Sequence, residues 1–168
     1  MQRRTLLKLG VVSAVVLAVA GGAAALLSPG LHDGKLSLAG REVFRAVGRA
    51  VLDQSLPRED GPRQDALNGL LNRMDELTVA LPPHAQTELS QLLSLLASAP
   101  GRRALAGLDD EWALATADRI QQSLQEMRLS GLVLRRQAYA ALHDITAAAY
   151  FSDVSTWPQL GYPGPVRI

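Results

Sequence analysis

The chain has 168 residues, which fits one domain plus a targeting segment. Hydrophobic residues make up 48% of it and aromatic residues only 4%, so Leu, Ala and Val form the core and packed helices are favoured over a sheet. The lack of cysteine excludes a disulfide framework, a cysteine-ligated iron–sulfur cluster, a c-type haem and a thiol nucleophile. All 16 acidic residues follow Leu27, leaving 14 basic and 16 acidic residues there, a net charge of −2. That balance gives no reason to expect nucleic-acid binding.

The amino terminus has the three parts of an export signal. A basic start, Met1–Lys8, precedes an uncharged stretch, Leu9–Leu31, that is rich in Gly and Ala. The paired arginines and the residues after them resemble the twin-arginine motif, whose pathway carries folded proteins. The residues of this motif are Arg3, Arg4, Leu6, Leu7 and Lys8. An ordinary secretory signal that contains two arginines by chance is the alternative.

Residues 1–31 are therefore predicted to be a cleaved signal peptide or an amino-terminal membrane anchor. Small residues offer cleavage sites at Ala18–Ala20 and Ala23–Ala25, yet the 23 uncharged residues 9–31 would also span a bilayer roughly 30 Å thick. With the basic end inside, we expect a periplasmic protein, free or anchored to the inner membrane by residues 9–31. Pro29-Gly30 and the polar turn His32–Lys35 are predicted to be a linker at the start of the domain, residues 32–168.

The body of the chain predicts an all-α bundle of five or six short helices with Pro- and Gly-containing connections. Apolar residues recur at helical spacing in each segment, and no stretch alternates strictly enough to predict a strand. Thr116 is a predicted N-cap, and Leu132 is expected near the core. The predicted helices are Ala39–Gln54, Arg63–Val79, His84–Ser98, Ala117–Ser130 and Leu132–Phe151, with a short turn of helix at Arg102–Leu108.

The last residues, 152–168, are predicted to be a rigid, extended tail. Five of the seven aromatic residues of the chain lie between 139 and 162. Each of the three prolines in the tail fixes φ and removes a backbone donor, so we expect neither helix nor central strand there. One interpretation is that Trp157 and Tyr162 fold back onto the chain's own helices as a lid. The other is that the aromatic residues bind a partner protein, where such residues tend to become anchors.

The polar residues form no credible catalytic constellation. The histidines, His32, His84 and His143, are far apart and lack partners at metal-ligand spacing. The acidic run Asp109–Glu111 is interpreted as a solvated loop, and the pair Arg102-Arg103 as a solvated face or as carbonyl donors. The sequence has neither a Gly-rich phosphate loop after a strand nor a nucleophile-elbow serine. We therefore expect a non-catalytic chain without a cofactor or metal of its own.

Several phrases of the sequence carry a family resemblance. They are Arg3-Arg4 at the start, Arg41–Val43, Val51–Asp53 and Leu56-Pro57 in the first predicted helix and its loop, and Ala149–Asp153, Trp157-Pro158 and Leu160–Pro165 near the end. In these phrases the chain resembles the gluconate 2-dehydrogenase subunit 3 family, the small subunits of membrane-bound dehydrogenases. The tail lacks the glycine- and asparagine-rich loop of longer members. The sequence is therefore more similar to a compact offshoot found beside a flavin-dependent oxidoreductase of the glucose–methanol–choline type.

The resemblance implies an accessory subunit and export escort. In such complexes the flavin-bearing subunit, which holds FAD, often lacks an export signal and crosses the membrane bound to the small subunit. The expected partners are thus a glucose–methanol–choline-type dehydrogenase subunit and the twin-arginine export machinery. The expected partner-binding residues are Tyr150, Phe151, Trp157 and Tyr162. The alternative is a stand-alone periplasmic or membrane-anchored helical protein with a structural or ligand-binding role.

Overall fold

The computed structural model describes residues 28–164 and confirms the predicted all-α class. A short hairpin, β1 Leu31–His32 and β2 Lys35–Leu36, precedes the helices. The helices are α1 Leu38–Val51, α2 Asp60–Val79, α3 Pro83–Ala97, α4 Ala99–Gly101, α5 Ala117–Arg128 and α6 Val133–Phe151. A π-helical turn, Arg102–Ala106, follows α4, and a 3₁₀ helix, Val154–Leu160, follows α6.

Helix α1 is the centre of the bundle, because it contacts each of the four other long helices. Ser37 caps its start, and the Ser37 Oγ accepts a hydrogen bond of 3.1 Å from the Gly40 amide. Its buried face combines large residues, such as Phe44, with small ones. A methyl group at Gly48 would lie 2.8 Å from Leu70 Cδ2 of α2, so the glycine permits close approach of the two helices.

Helices α1 and α2 run antiparallel. Arg41 Nη1 of α1 lies 3.1 Å from Asp75 Oδ2 of α2, whereas Arg45 Nη2 donates a 2.9 Å hydrogen bond to Asn68 Oδ1. Residue numbers thus rise along one helix as they fall along the other. Helix α3 begins with Pro83 in its first turn, one residue before the predicted start at His84, because proline has the φ of a helix and the missing N–H would be unpaired there.

The start of α5 agrees with the prediction, whereas the start of α6 does not. Thr116 caps α5, and its Oγ1 accepts a 3.3 Å hydrogen bond from the Arg119 amide. The expectation that Leu132 lies near the core is wrong, because Leu132 precedes α6 in the turn after α5 and is 65% exposed. The core face of α6 is formed by residues from Ala138 to Tyr150.

The predicted linker at residues 29–35 is instead a packed hairpin. The Ser37 amide donates to the Gly30 carbonyl at 2.9 Å, and the Leu31 amide donates to Ser90 Oγ of α3 at 3.1 Å. Asp33 and Gly34 both have positive φ, 51° and 76°, as a two-residue hairpin turn requires. The strands are too short to show alternation, so only the Asp-Gly dipeptide could have indicated them. The packed domain therefore includes Gly30 and Leu31, before the predicted boundary at residue 32.

The predicted extended tail is also a correction, because Val154–Leu160 forms a 3₁₀ helix that contains Pro158. The fixed φ of proline lies within the range of a 3₁₀ helix. Proline therefore fits the backbone conformation of this short helix, and its only effect is the loss of one hydrogen-bond donor. Gly161, with φ 68°, ends the helix, and its amide donates to the Pro158 carbonyl at 3.1 Å.

The segment between α4 and α5 is held by arginine side chains that donate to its backbone carbonyls. Arg135 Nε donates to Leu105 O at 2.8 Å, Arg49 Nη2 donates to Ala115 O at 3.0 Å, and Arg119 donates to the Gly107 carbonyl. Arginines from three helices thus replace the hydrogen bonds that regular secondary structure would supply. We call residues 105–115 the arginine-bound loop.

Within the arginine-bound loop, Trp112 is buried and its Nε1 donates a 2.7 Å hydrogen bond to the Leu96 carbonyl of α3. The acidic run Asp109–Glu111 is exposed, as predicted. Arg102 is buried and donates to Asp109 O at 3.3 Å, so it is a carbonyl donor and not a solvated residue.

The described residues, 28–164, contain no helix that is both long and apolar enough to cross a membrane. The predicted export-signal residues, Arg3, Arg4, Leu6, Leu7 and Lys8, lie outside the part of the chain that the structure describes.

Candidate functional site

The segment after α6 is fixed to the bundle by Arg73 of α2. Arg73 Nε donates a 2.8 Å hydrogen bond to the Ala149 carbonyl near the end of α6, and Arg73 Nη1 lies 3.0 Å from Asp153 Oδ2. Both side chains of this ion pair are more than two-thirds buried. One guanidinium therefore joins α2, α6 and the residue that begins the 3₁₀ helix, and the bundle defines the position of the segment.

Asp153 also caps the 3₁₀ helix. Its Oδ1 accepts hydrogen bonds from the Ser155 hydroxyl at 2.7 Å and from the Ser155 amide at 2.9 Å. These two bonds hold the pKa of the Asp153 carboxyl below its ordinary value; burial opposes them and the charge of Arg73 assists them. The carboxylate is therefore ionised at neutral pH and serves both as a cap and as the partner of Arg73.

Trp157 and Tyr162 form an aromatic pair on the outside of the segment. Their rings are 5.2 Å apart and inclined at 62°, an edge-to-face arrangement. Trp157 Nε1 donates a 2.9 Å hydrogen bond to the Phe151 carbonyl, and the Tyr162 amide donates to the Trp157 carbonyl at 3.1 Å. The indole N–H is thus satisfied by the last residue of α6, so the exposed part of the Trp157 ring is left for apolar contacts.

A shallow pocket of about 320 Å³ lies beside the aromatic pair and is open to solvent. It is lined mainly by apolar atoms of Val154, Trp157, Pro158, Gly161, Tyr162 and Pro163. Sites for small molecules usually enclose most of the ligand's surface. An open apolar depression of this size instead suits one protruding side chain of a partner protein.

The structure separates the four predicted partner-binding residues into two groups. Tyr150 is only 7% exposed and belongs to the hydrophobic core, so it is not part of the exposed surface of the tail. Phe151 and Tyr162 are exposed, and Trp157 is partly exposed. The structure adds Val154, which is exposed three residues before Trp157. We call Phe151, Val154, Trp157 and Tyr162 the tail surface.

Val154 and Arg73 help to build this site and were not predicted from the sequence. Val154 lies three residues before Trp157, and residues at that spacing align in a 3₁₀ helix, so the spacing is the signal that could have indicated Val154. Arg73 gave no signal, because its partners are 76 and 80 positions away in the sequence.

The lid interpretation agrees with the attachment of the tail to α6, but not with the position of the Trp157 and Tyr162 rings. The tail is attached to the end of α6 through the Trp157 indole and through Thr156, whose buried hydroxyl donates to the Tyr150 carbonyl at 3.3 Å. Neither Trp157 nor Tyr162 belongs to the hydrophobic core of the bundle. The segment is therefore anchored by its polar groups, whereas its aromatic rings lie at the surface.

Residues 28–164 contain no group of three or more His, Asp or Glu side chains placed to hold a metal ion. His32 and His84 are exposed. His143 stacks on Tyr139, with ring centroids 5.5 Å apart, and its Nδ1 lies 3.2 Å from Asp144 Oδ1. These surroundings agree with the interpretation of the histidines as structural or exposed residues.

Comparison with known proteins gives no family: no protein-family model, no curated protein and no solved structure matches this chain.

Proposed function

We propose that this chain is a non-catalytic accessory subunit and export escort of a periplasmic, flavin-dependent dehydrogenase. The tail surface binds the flavoprotein, and Arg3 and Arg4 direct the complex to the twin-arginine export machinery. The FAD cofactor resides in the partner subunit.

One observation carries the proposal. The tail surface combines four apolar side chains with a backbone that is fixed by Arg73, Asp153 and the Trp157 indole. Ordering such residues on binding normally costs free energy, and a surface that is ordered beforehand avoids that cost. Partly exposed tryptophan and tyrosine side chains on a rigid support are typical anchors of protein interfaces.

The sequence supports the nature of the partner. The phrases that resemble the gluconate 2-dehydrogenase subunit 3 family, Ala149–Asp153, Trp157-Pro158 and Leu160–Pro165, are the ones that build or flank the tail surface. A twin-arginine signal also suits an escort, because that pathway carries proteins that are already folded and loaded with cofactor.

The stand-alone, ligand-binding alternative has less support. Such a role would favour an enclosed pocket between the helices, with a few polar groups directed into it. Two pockets of the described residues, one beside Trp157 and the other at Gln54–Pro57, are open to solvent. No observation therefore favours it over the escort function.

The test is co-purification of a tagged, full-length chain from the periplasm of its native host. Wild type is compared with the double substitution Arg3→Lys and Arg4→Lys, and with Lys35→Arg, a charge-conserving change outside the signal, as the control. We expect a flavoprotein, identified by its flavin absorbance, to co-purify with the wild type and the control. In cells that make the double variant, the flavoprotein should stay in the cytoplasm.

The double substitution keeps the positive charge, so an ordinary secretory signal would tolerate it. Export of the double variant at the wild-type level would therefore reject the twin-arginine route. A periplasmic chain that co-purifies with no flavoprotein in any sample would reject the escort function.

A further inference from the structure

A second apolar surface lies at the opposite end of α6 from the tail surface, in the turn that joins α5 to α6. Leu129, Leu132 and Val133 are 68%, 65% and 54% exposed. A methyl group added at Gly131 would meet no atom within 4 Å, so the turn is open to solvent on that side as well. We call residues 129–133 the α5–α6 tip.

The surroundings of the tip are positively charged. Arg128, Arg135 and Arg136 flank it, and the sequence has no Asp or Glu between Glu126 and Asp144. None of the three arginines forms an ion pair with a carboxylate of the described residues. Glu126, the nearest acid in the sequence, accepts a 3.0 Å hydrogen bond from Gln122.

The hydrogen bonds of these arginines leave donors available. Arg128 Nε donates to Gln125 Oε1 at 3.0 Å, Arg136 Nη1 donates to Ser130 O at 2.6 Å, and Arg135 Nε donates to Leu105 O at 2.8 Å. Each bond uses one N–H of a guanidinium that has five. Arg128 and Arg136 are exposed, so their remaining donors face solvent.

We propose that the α5–α6 tip binds the surface of a membrane that contains anionic phospholipids, with its aliphatic side chains among the acyl chains and its arginines on the lipid phosphates. Unpaired guanidinium groups match phosphate in charge and geometry. Exposed aliphatic side chains with arginines around them are the combination that binds at the interface of a bilayer. The inference depends neither on export nor on the flavoprotein.

Charge favours a lipid surface over a protein partner. A protein interface would have to supply two carboxylates, one for each of the exposed Arg128 and Arg136, close to three aliphatic contacts, whereas an anionic bilayer offers both everywhere on its surface.

The test uses the full-length chain, whose lack of cysteine allows one thiol to be introduced at a chosen position. Leu132→Cys is labelled with an environment-sensitive fluorophore, and Leu114→Cys, which is also well exposed (75% against 65% for Leu132), is the matched control. The probes are vesicles of phosphatidylcholine alone and of phosphatidylcholine with an equal amount of phosphatidylglycerol. A local label is required because residues 9–31 could themselves enter either vesicle.

With phosphatidylglycerol we expect the emission at position 132 to shift to the blue and to be quenched by nitroxide-labelled lipid. The label at position 114 should stay in water with both vesicles. Adding Arg128→Gln and Arg136→Gln should lower the ratio of immersed to exposed label at position 132 by roughly thirtyfold. Lys35→Gln with Arg58→Gln removes the same charge elsewhere and should leave that ratio unchanged.

Three results would overturn the proposal. They are a label at position 132 that stays in water with phosphatidylglycerol vesicles, an equal shift with both vesicles, and an equal loss in the Lys35 and Arg58 control. A label shielded only when purified flavoprotein is added would assign the tip to a protein interface, and would also reject membrane binding.

Discussion

Trp112 and Trp157 are the two tryptophans of the chain, and each lies in a segment that is not α-helical. Trp112, in the arginine-bound loop, is 2% exposed, and its indole N–H binds a carbonyl of α3, 16 positions earlier. Trp157, in the 3₁₀ helix, is partly exposed, and its indole N–H binds a carbonyl only 6 positions earlier. Trp112 therefore joins distant parts of the fold, whereas Trp157 joins its segment to the adjacent end of α6.

We interpret this difference as a separation of fold stability from the proposed partner binding. The arginine-bound loop uses its aromatic side chain inside the core, where packing contributes to the free energy of unfolding. The tail segment uses polar groups for attachment, namely Arg73 and Asp153, and keeps its aromatic rings at the surface. Substitutions in the two segments should therefore affect different measurements.

The largest effect on stability is expected for Trp112→Ala. Loss of a fully buried aromatic side chain, together with the cavity it leaves, should lower the free energy of unfolding by about 3–5 kcal/mol. Urea denaturation of the variant and the wild type measures this difference. If Trp112→Ala were no more destabilising than Trp157→Ala, the proposed contrast between the two segments would be wrong.

Trp112→Phe is the matched control for this substitution. It keeps an aromatic ring but leaves the Leu96 carbonyl without its donor, a change that costs about 1–3 kcal/mol. We therefore expect its free energy of unfolding to lie between those of the wild type and the alanine variant.

A smaller effect is expected for Asp153→Ala, which removes the cap and the partner of Arg73. The loss should be about 1 kcal/mol at neutral pH, and Asp153→Asn should lose less because asparagine is also a good cap. Folding lowers the pKa of Asp153, so the contribution of the carboxylate is complete above its unfolded pKa and is lost as the pH falls through the folded value.

Chemical denaturation at several pH values tests this dependence. The difference in unfolding free energy between wild type and Asp153→Ala should shrink toward acidic pH. A difference that stayed constant across that range would show that the charge of Asp153 does not hold the segment.

A similarly small effect on stability is expected for Trp157→Ala. This substitution removes one edge-to-face contact with Tyr162 and one local hydrogen bond, so the loss should be less than about 1.5 kcal/mol. Thermal unfolding measures the change. A loss as large as that of Trp112→Ala would mean that the tail is a lid on the core.

The helical part of the fold could be predicted from the sequence because its signals are local. Thr116 and Pro83 occupy the cap and first-turn positions that their chemistry favours, and the apolar spacing of α1 and α2 gave their buried faces. The hairpin at residues 31–36 was missed because two-residue strands show no periodicity, although Asp33-Gly34 is a hairpin turn dipeptide.

The parts that could not be predicted depend on contacts between distant residues. The 3₁₀ helix at Val154–Leu160 was not predicted, because prolines indicate a break in an α-helix. The φ of Pro158 nevertheless fits a 3₁₀ helix. Tyr150 and Phe151 are adjacent and aromatic, and only the packing of α6 decides that the first is buried and the second exposed. Arg49 and Arg135 bind carbonyls 66 and 30 positions away, and no sequence pattern indicates such pairs.

The most direct test of the central claim is the affinity of the purified flavoprotein for the full-length chain with Trp157→Ala. Leu38→Ala is the control, because Leu38 is 89% exposed and lies on α1. We predict that Trp157→Ala weakens binding about thirtyfold or more, as for an interface anchor, with little change in melting temperature, and that the control binds like the wild type. Wild-type affinity together with a clearly lower melting temperature would contradict the account, since Trp157 would then stabilise the fold and not bind a partner.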